Sequence, residues 1–243
     1  MDQRTQPCLW MSAGLVSYKL CDRDFDCDRC PFDAAIRGEV MPALPPIDRM
    51  DRNDLGGARV AALCFPEDRL YASGHTWVQE AAGAAVRIGL DAFAVALLGS
   101  IHRVQARAEA ASADLDDGAT LCEVDLDVGR LPVTTPVAGR PRIWNRALEE
   151  DGTPLMRSPY DEGWIAELDL TAPDALTRLL PSAAALERSR LDLRRFRRRA
   201  ALFLFEGADD LGPTLADGGE ILTDLRAILG APRYLELVAD LVR

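Results

Sequence analysis

The chain has 243 residues and a formal net charge of −11, with a pI near 4.7. Hydrophobic residues make up 48% of the chain, which is enough to bury a core and excludes wholesale disorder. The acidic balance argues against nucleic acid as a partner, because such a surface repels phosphate backbones. No apolar run approaches the roughly 18 residues that span a bilayer, so we expect no membrane partner either.

The N-terminus reads MDQRTQPCLW and lacks the basic region, apolar region and cleavage site of a signal peptide, which predicts a cytoplasmic protein. Cysteines stay reduced in that compartment, so the six cysteines favour metal binding or thiol chemistry over disulfides. Of the 28 basic residues, one is a lysine, at position 19, and 27 are arginines. Any reaction that needs a lysine amine is therefore restricted to Lys19.

Residues 1–40 form a cysteine-rich leader. Its four cysteines follow the spacing C-x12-C-x5-C-x2-C, at Cys8, Cys21, Cys27 and Cys30. A C-x-x-C pair lets two thiolates converge on one ion, and two more distant cysteines can complete a four-thiolate site. Such a site suits either Zn²⁺ or an iron–sulfur cluster, and the spacing does not choose between them. The alternative is four reduced cysteines in which Cys27 and Cys30 form a redox pair.

A linker is predicted at 41–57, where three prolines precede a Gly-Gly pair. From 58 to 180 short apolar stretches are broken by glycine and proline, which predicts a mainly β domain. One helix is expected within it, with Asp91 as N-cap and Gly99 as its C-terminal stop. Cys64 and Cys122 lie in strand-like stretches and are expected to be buried. The predicted strands lie around 60–63, 70–71, 77–78, 86–88, 101–107, 119–125, 131–135 and 136–145.

Four motifs of this domain occur in a fixed order: YASGHTWV, VRIGLDAFAVALLGSI, TTPVAGRPRIWN and SPYDEGWIAEL. In that order and at that spacing they resemble the glycine cleavage system H protein, a relative of lipoyl domains. The resemblance covers roughly residues 70–180. It implies a lipoyl-like barrel-sandwich hybrid with Trp77 and Trp164 as core aromatics. It also favours a structural, hydrogen-bonding role for His75 over a catalytic one.

The chain departs from this family at the residue that matters most. In an H protein the lipoyl lysine lies on the hairpin before the Pro-Val-x-Gly turn. Counting back without gaps from Pro136 puts Val128 at that position, in the tip sequence DVGR. Valine has no nucleophilic nitrogen, and the guanidinium of Arg130 stays protonated and cannot replace a lysine amine. No lipoate is therefore expected on this hairpin.

Residues 181–243 read as a helical tail. Its segment 188–199 contains seven arginines, which in isolation indicates an anionic partner. The apolar stripe of Leu193, Phe196 and Ala200 instead predicts a packed helix whose arginines pair with the chain's own acidic surplus or with a partner chain. The terminal helices offer apolar surface for packing on the barrel, on each other, or in a homo-oligomer.

These observations predict a mainly β cytoplasmic protein with α extensions: a cysteine-rich metal-binding segment, a lipoyl-like domain and a helical tail. Its predicted function is that of a non-catalytic, non-lipoylated adaptor that binds an unidentified protein partner. One alternative is a subunit of a glycine cleavage system that acts through docking. The other is an iron–sulfur protein for electron transfer or redox sensing.

Overall fold

The computed structural model describes residues 6–37, 63–83, 85–107, 113–206 and 225–242. The linker predicted at 41–57 lies outside these residues. The chain divides into two compact units. We call Leu63–Ser189 with Val238–Arg243 the sheet unit, and Met1–Ala62 with Arg190–Leu237 the cysteine unit. The leader and most of the arginine-rich segment therefore belong to the same unit, although they lie at opposite ends of the sequence.

Eight strands are described, and all of their pairings are antiparallel. They form a five-stranded sheet of order β1-β2-β3-β8-β7 and a three-stranded sheet of order β4-β5-β6. The predicted mainly β fold with helical extensions is confirmed. The strands are β1 Leu70–Tyr71, β2 Thr76–Glu80, β3 Ala85–Leu90, β4 Ile101–Ala106, β5 Thr120–Leu126, β6 Gly129–Thr134, β7 Gly139–Trp144 and β8 Trp164–Leu170.

Eight α-helices are described, and two 3-10 turns accompany them at Cys27–Arg29 and Pro173–Arg178. No helix among the described residues is both long and apolar enough to cross a membrane. The helices are α1 Leu9–Ser12, α2 Pro31–Ile36, α3 Ala92–Leu98, α4 Ala147–Glu150, α5 Thr153–Arg157, α6 Ser182–Glu206, α7 Leu225–Leu229 and α8 Ala231–Ala239.

The sheets follow the alternation that their sequences encode. In β6 Leu131 and Val133 are buried, whereas the intervening Pro132 is exposed. Since successive side chains of a strand point to opposite faces, one face of this strand lines the core. Pro132 and Pro141 both lie in strands at the edge of a sheet, β6 and β7, where a missing N–H removes no internal ladder bond.

Helix α3 begins and ends where the sequence predicts. The Asp91 side chain accepts a hydrogen bond from the backbone N–H of Ala94, with 2.8 Å between Oδ1 and N. Gly99 ends the helix with a φ of +72°, a conformation that glycine adopts without a Cβ clash.

The centre of the sheet unit is an aromatic residue packed on a glycine. Trp77 is fully buried on β2, and its cross-strand partner on β3 is Gly89. A Cβ atom at Gly89 would lie 2.6 Å from Cζ2 of the indole, so only glycine leaves room for it. The indole Nε1 donates to the carbonyl of Pro159 at 3.1 Å, and the Arg69 guanidinium lies 4.8 Å from the ring centre.

Two burial predictions are wrong in this unit. Trp164 is only half-buried, because its ring faces the side chain of Arg87, which is itself partly exposed. The Arg87 guanidinium lies 5.3 Å from the ring centre of Trp164. Cys64 is exposed, because residues 63–66 form no strand that would direct it inward. Cys122, on β5, is fully buried as predicted.

Aromatic side chains make several of the contacts within the cysteine unit. Trp10 is buried on α1, and its indole Nε1 donates to Oδ1 of Asp33 on α2 at 2.7 Å. Phe196 of α6 packs edge-on against Tyr234 of α8, with ring centres 6.0 Å apart. These aromatic side chains are buried together with aliphatic residues such as Leu193 and Leu237.

Candidate functional site

The hairpin between β5 and β6 places Val128 at its tip. Leu126 and Gly129 are cross-strand partners, so Asp127 and Val128 form a two-residue loop. Val128 is half-buried there. The loop thus contains a carboxylate and an aliphatic side chain, and neither can form an amide with a lipoyl group.

Charged side chains surround this tip. His102 Nε2 lies 2.7 Å from Asp127 Oδ1, and both side chains are more than half exposed. Asp125 accepts a hydrogen bond from Arg103 Nε at 2.7 Å and pairs with Arg130 Nε at 3.0 Å. Exposed pairs of this kind contribute little to stability, typically about 0–1 kcal/mol. Their arrangement instead presents alternating charges, which suits recognition of another protein surface.

His75 occupies the structural position that the sequence predicts for it. It is 2% exposed, and its Nδ1 lies 2.9 Å from Oδ2 of Asp91. Its carbonyl also accepts the backbone N–H of Asp91 at 2.9 Å. These two contacts fix the turn before β2 to the start of α3. The sequence did not reveal that His75 has a φ of +59°, an uncommon backbone conformation for a residue with a Cβ.

Sequence reasoning missed Glu167, a buried carboxylate on β8. Arg87 Nε donates to its Oε1 at 2.8 Å, and Arg142 Nη2 donates to its Oε2 at 3.0 Å. The hydrogen bond from Arg87, followed by that from Arg142, holds the pKa of Glu167 below its ordinary value. The only signal for this site is a glutamate in an otherwise apolar stretch of the strand, WIAELDL.

The four cysteines predicted as metal ligands line one pocket of the cysteine unit. Cys8 is buried and the other three are half-buried. The 3-10 turn brings Cys27 and Cys30 together, and the Cys30 N–H donates to the Cys27 carbonyl at 3.0 Å. The structure therefore gathers all four cysteines, Cys8, Cys21, Cys27 and Cys30, into one region.

One sulfur of this pocket already accepts a backbone hydrogen bond. Asp24 and Phe25 have φ values of +48° and +60°, and the Phe25 N–H donates to Sγ of Cys21 at 3.2 Å. Two consecutive left-handed residues without glycine are unfavourable, so the surrounding structure must hold this turn in place. Burial of the Phe25 side chain helps to stabilise the turn.

Within the part of the chain that the structure describes, no group of three or more His, Cys, Asp or Glu side chains is arranged to hold a metal ion. The thiols share a pocket there without forming a coordinating set. Burial raises the pKa of Cys8, and it raises the pKa of Cys27 to about 12 although the Arg197 guanidinium acts in the opposite direction. The donor atoms are thiol sulfurs, which suit Zn²⁺ or iron as soft ligands.

Three consecutive arginines of α6 pair with acids of the same unit. Arg197 is 1% exposed, and both of its Nη atoms donate to Oδ1 of Asp28 at 3.0 Å. Arg198 pairs with Asp24. The third pair joins Arg199 Nη2 to Glu236 Oε1 on α8 at 2.7 Å. Pairing with the chain's acidic surplus was predicted, but no sequence pattern indicated that one guanidinium would be buried and paired with Asp28 of the C-x-x-C turn.

Comparison with known proteins gives one consistent relationship. The sequence model of the family described as Glycine cleavage H-protein matches residues 69–190. The glycine cleavage system H protein of Corynebacterium jeikeium is 30% identical over 126 residues, which are 51% of this chain and 98% of that protein. The H protein of Salinibacter ruber is 31% identical over 122 residues, 50% of this chain and 96% of that protein.

Two further relatives extend the comparison. A glycine cleavage system H-like protein of Chlamydia muridarum is 30% identical over 103 residues, 42% of this chain and 86% of that protein. The crystal structure of a glycine cleavage system H protein from Mycobacterium marinum is similar at 26% identity, with a TM-score of 0.45. That match covers 51% of this chain and 97% of the other. The matched segment begins after the cysteine leader.

Proposed function

The chain belongs to the glycine cleavage H-protein family through residues 69–190, and from this we propose that it is a non-lipoylated adaptor of that family. In this role the sheet unit binds another protein and transfers no group covalently. One observation carries the proposal: the loop of the β5–β6 hairpin contains Asp127 and Val128, whereas a lipoyl carrier needs a lysine amine.

The single lysine of the sequence does not replace the missing amine. Lys19 lies in the cysteine unit, 3.4 Å from the carboxylate of Asp22, and its Nζ lies 5.8 Å from the centre of the Phe32 ring. A domain that keeps its fold and lacks its reactive residue retains a shaped surface, and binding is what such a surface can do. The exposed charges at the hairpin tip support a protein as the partner.

We propose further that the leader binds one metal centre through Cys8, Cys21, Cys27 and Cys30, either Zn²⁺ or an iron–sulfur cluster. Support comes from the pocket that the four cysteines share and from the N–H of Phe25 that points at a sulfur. The net charge of −11 supports a protein partner over nucleic acid or a membrane, and a cytoplasmic location suits reduced cysteines. Pairing of two copies through the terminal helices is a further proposal, supported by exposed Leu191 and Leu202 on α6.

The adaptor proposal is tested with the purified full chain. Protein from cells with active lipoylation is expected to show an unmodified intact mass. A partner captured by the chain is then purified and titrated against it. The complex is expected to weaken when Asp127→Arg changes the charge of the hairpin tip, and to be unaffected by Arg157→Gln at an exposed site outside the hairpin. A lipoyl group on the chain, or the absence of any complex between purified proteins, contradicts the proposal.

The metal proposal is tested by measuring iron, zinc and acid-labile sulfide in anaerobically purified protein, beside a Cys27→Ser/Cys30→Ser variant. We expect one metal centre per chain that the variant loses. Iron with sulfide would favour the alternative function of electron transfer or redox sensing. Stoichiometric zinc would make the leader a structural site of the adaptor. If the protein contains neither iron nor zinc, the metal site is contradicted, and thiol chemistry is left as the role of the cysteines.

A further inference from the structure

One arginine of the arginine-rich segment is buried against the cysteine-rich leader. Among the described arginines of α6, Arg197 is the buried one, and its guanidinium is surrounded by protein in the cysteine unit. Burial of an ion is unfavourable unless it is paired and hydrogen-bonded. Arg197 meets that requirement with a carboxylate of the leader, Asp28, which it contacts through both Nη atoms at 3.0 Å.

The position of Asp28 gives this pair its significance. Asp28 lies between Cys27 and Cys30, inside the 3-10 turn that brings these two cysteines together. A guanidinium anchored on Asp28 therefore restrains the one turn on which a C-x-x-C pair depends. It also holds a buried positive charge against Asp28, the residue that follows Cys27 in this turn.

A positive charge stabilises a four-thiolate site. Four thiolates around a divalent ion leave a net charge of roughly −2, because each bound cysteine has lost its proton. Two cations line the pocket, but Lys19 is paired with Asp22 and Arg23 is exposed to solvent. Arg197 is not among the residues that line the pocket, but it contacts the C-x-x-C turn through Asp28 and is fully buried, and a buried charge is screened far less by solvent.

We propose that Arg197 is a positioning residue of the four-cysteine metal site, which it serves by holding Asp28 in the C-x-x-C turn and by balancing the charge of the thiolates. The inference rests on the metal site proposed above. It makes the C-terminal part of α6, from Arg190 onward, a structural component of that site. Metal binding then stabilises the packing of this helix on the leader, and the packed helix raises the affinity for the metal by the same factor.

The neighbouring arginine gives an internal comparison. Arg198 pairs with Asp24, and its guanidinium lies 5.8 Å from the ring centre of Phe25, which lines the pocket. It is 41% exposed, however, whereas Arg197 is 1% exposed. Solvent screens the exposed pair, so the metal site is expected to depend on Arg197 more than on Arg198.

The test is a metal titration of the full chain and of three single variants. Zn²⁺ affinity is measured by competition with a chromophoric chelator, and Co²⁺ spectra report whether thiolates coordinate. Arg197→Met removes the charge, and Arg197→Lys keeps the charge but loses the planar guanidinium. The matched control is Arg199→Met, the same change two positions along the helix, at a residue whose partner Glu236 lies on α8 and outside the leader.

We expect Arg197→Met to weaken Zn²⁺ binding by about 10- to 100-fold, the effect typical of losing a residue that orients metal ligands. Arg197→Lys is expected to fall between that variant and the unchanged chain, and Arg199→Met to equal the unchanged chain. Circular dichroism of the metal-free proteins identifies any variant that fails to fold, and Arg197→Lys then serves as the test.

The outcomes separate the two proposals. If the unchanged chain binds Zn²⁺ and both Arg197 variants bind it equally well, the positioning role is overturned and the metal site survives. If Arg199→Met weakens binding as much as Arg197→Met, the effect is a general one of the helix, and the positioning role is again overturned. If the unchanged chain binds neither Zn²⁺ nor Co²⁺ and was purified without iron, the metal site itself fails and the inference fails with it.

Discussion

The sheet unit and the cysteine unit differ in which chemical groups they contain at their candidate sites. The sheet unit keeps the sequence signature of a carrier family, yet its hairpin loop contains Val128 and no amine. The leader of the cysteine unit lies outside the segment that matches the family, yet its four cysteines line one pocket. In the sheet unit the family's sequence signature is present without an amine in the hairpin loop, and in the cysteine unit four thiols share a pocket outside the matched segment.

This difference between the two units indicates which part of the chain is the better place to search for function. A fold is maintained by residues distributed through its core, such as Trp77 and Gly89, and it survives the loss of one exposed side chain. A thiol site depends on a few residues, and in our proposal Asp28 and the buried Arg197 support it. The family relationship therefore describes the fold of the sheet unit, and the leader is the more informative place to search for chemistry.

The largest expected effect comes from introducing a lysine amine into the hairpin of the sheet unit. Val128→Lys places one in the two-residue loop, and if the hairpin keeps the form that an H protein presents, lipoylating cells should modify it. Intact mass should then change from wholly unmodified to largely lipoylated. Arg157→Lys is the control, since it adds an amine at an exposed residue of the same unit that is not part of the hairpin. An unmodified Val128→Lys chain would mean that this loop has lost more than its lysine.

The integrity of the sheet unit depends on the indole at its centre. Trp77→Ala should lower the free energy of unfolding by about 3–5 kcal/mol, because it leaves a cavity where the indole packs on Gly89. Trp164→Ala is the matched comparison and should have a clearly smaller effect, because Trp164 is half-buried. Urea unfolding followed by circular dichroism measures both. Equal losses for the two variants would contradict the account of the core.

Metal should stabilise one unit and leave the other unchanged. At a free Zn²⁺ concentration 100 times the dissociation constant, binding to the folded site adds about 2.7 kcal/mol to the free energy of unfolding of the cysteine unit. Hydrogen exchange of backbone amides reports the two units separately. Protection should rise around Cys8 and the C-x-x-C turn, and it should stay constant in β2 and β3. Cys27→Ser/Cys30→Ser should abolish the gain, and a gain spread equally over both units would argue against a site in the leader.

Those elements of the sheet unit that have a local cause could be read from the sequence. Asp91 and Gly99 bound α3 through capping chemistry, and alternation in β6 follows the pleat. The expectation of one helix within 58–180 is wrong, because α4 and α5 also form there without such local signals. The structure places Val128 in the hairpin loop, and its equivalence to the lipoyl lysine stays a prediction. What escaped prediction depends on residues distant in sequence, as when Arg87 covers Trp164 and, with Arg142, encloses Glu167.

The cysteine unit was less predictable for the same reason. Spacing alone selected the four cysteines, since a C-x-x-C pair is local. The partner of Asp28, however, is Arg197, 169 residues further along the chain. In the sequence Arg197 is one of seven arginines in its segment, and nothing local distinguishes the buried one from the others. Only packing of the helix assigns it that position.

The smallest expected effect concerns pH and again separates the units, because Glu167 belongs to the sheet unit alone. Its pKa in the folded protein lies below the ordinary value of 4.5, since Arg87 and Arg142 hydrogen-bond the carboxylate. A depressed pKa means that ionised Glu167 contributes stability above pH 4.5, and this contribution is lost as the pH falls through the folded-state pKa. Because both arginines are nearly half exposed, the contribution should be below about 1 kcal/mol.

Glu167→Gln tests this sign. At pH 7 the variant should be slightly less stable than the unchanged chain, and the two unfolding free energies should converge as the pH is lowered from 5 towards 3, because a protonated glutamate and a glutamine are both neutral. Urea unfolding across that range measures the convergence. Glu162→Gln is the control, at an exposed carboxylate where we expect little difference at any pH. A deficit for Glu167→Gln that persists unchanged to pH 3 would show that packing, and not the ionised carboxylate, accounts for the effect.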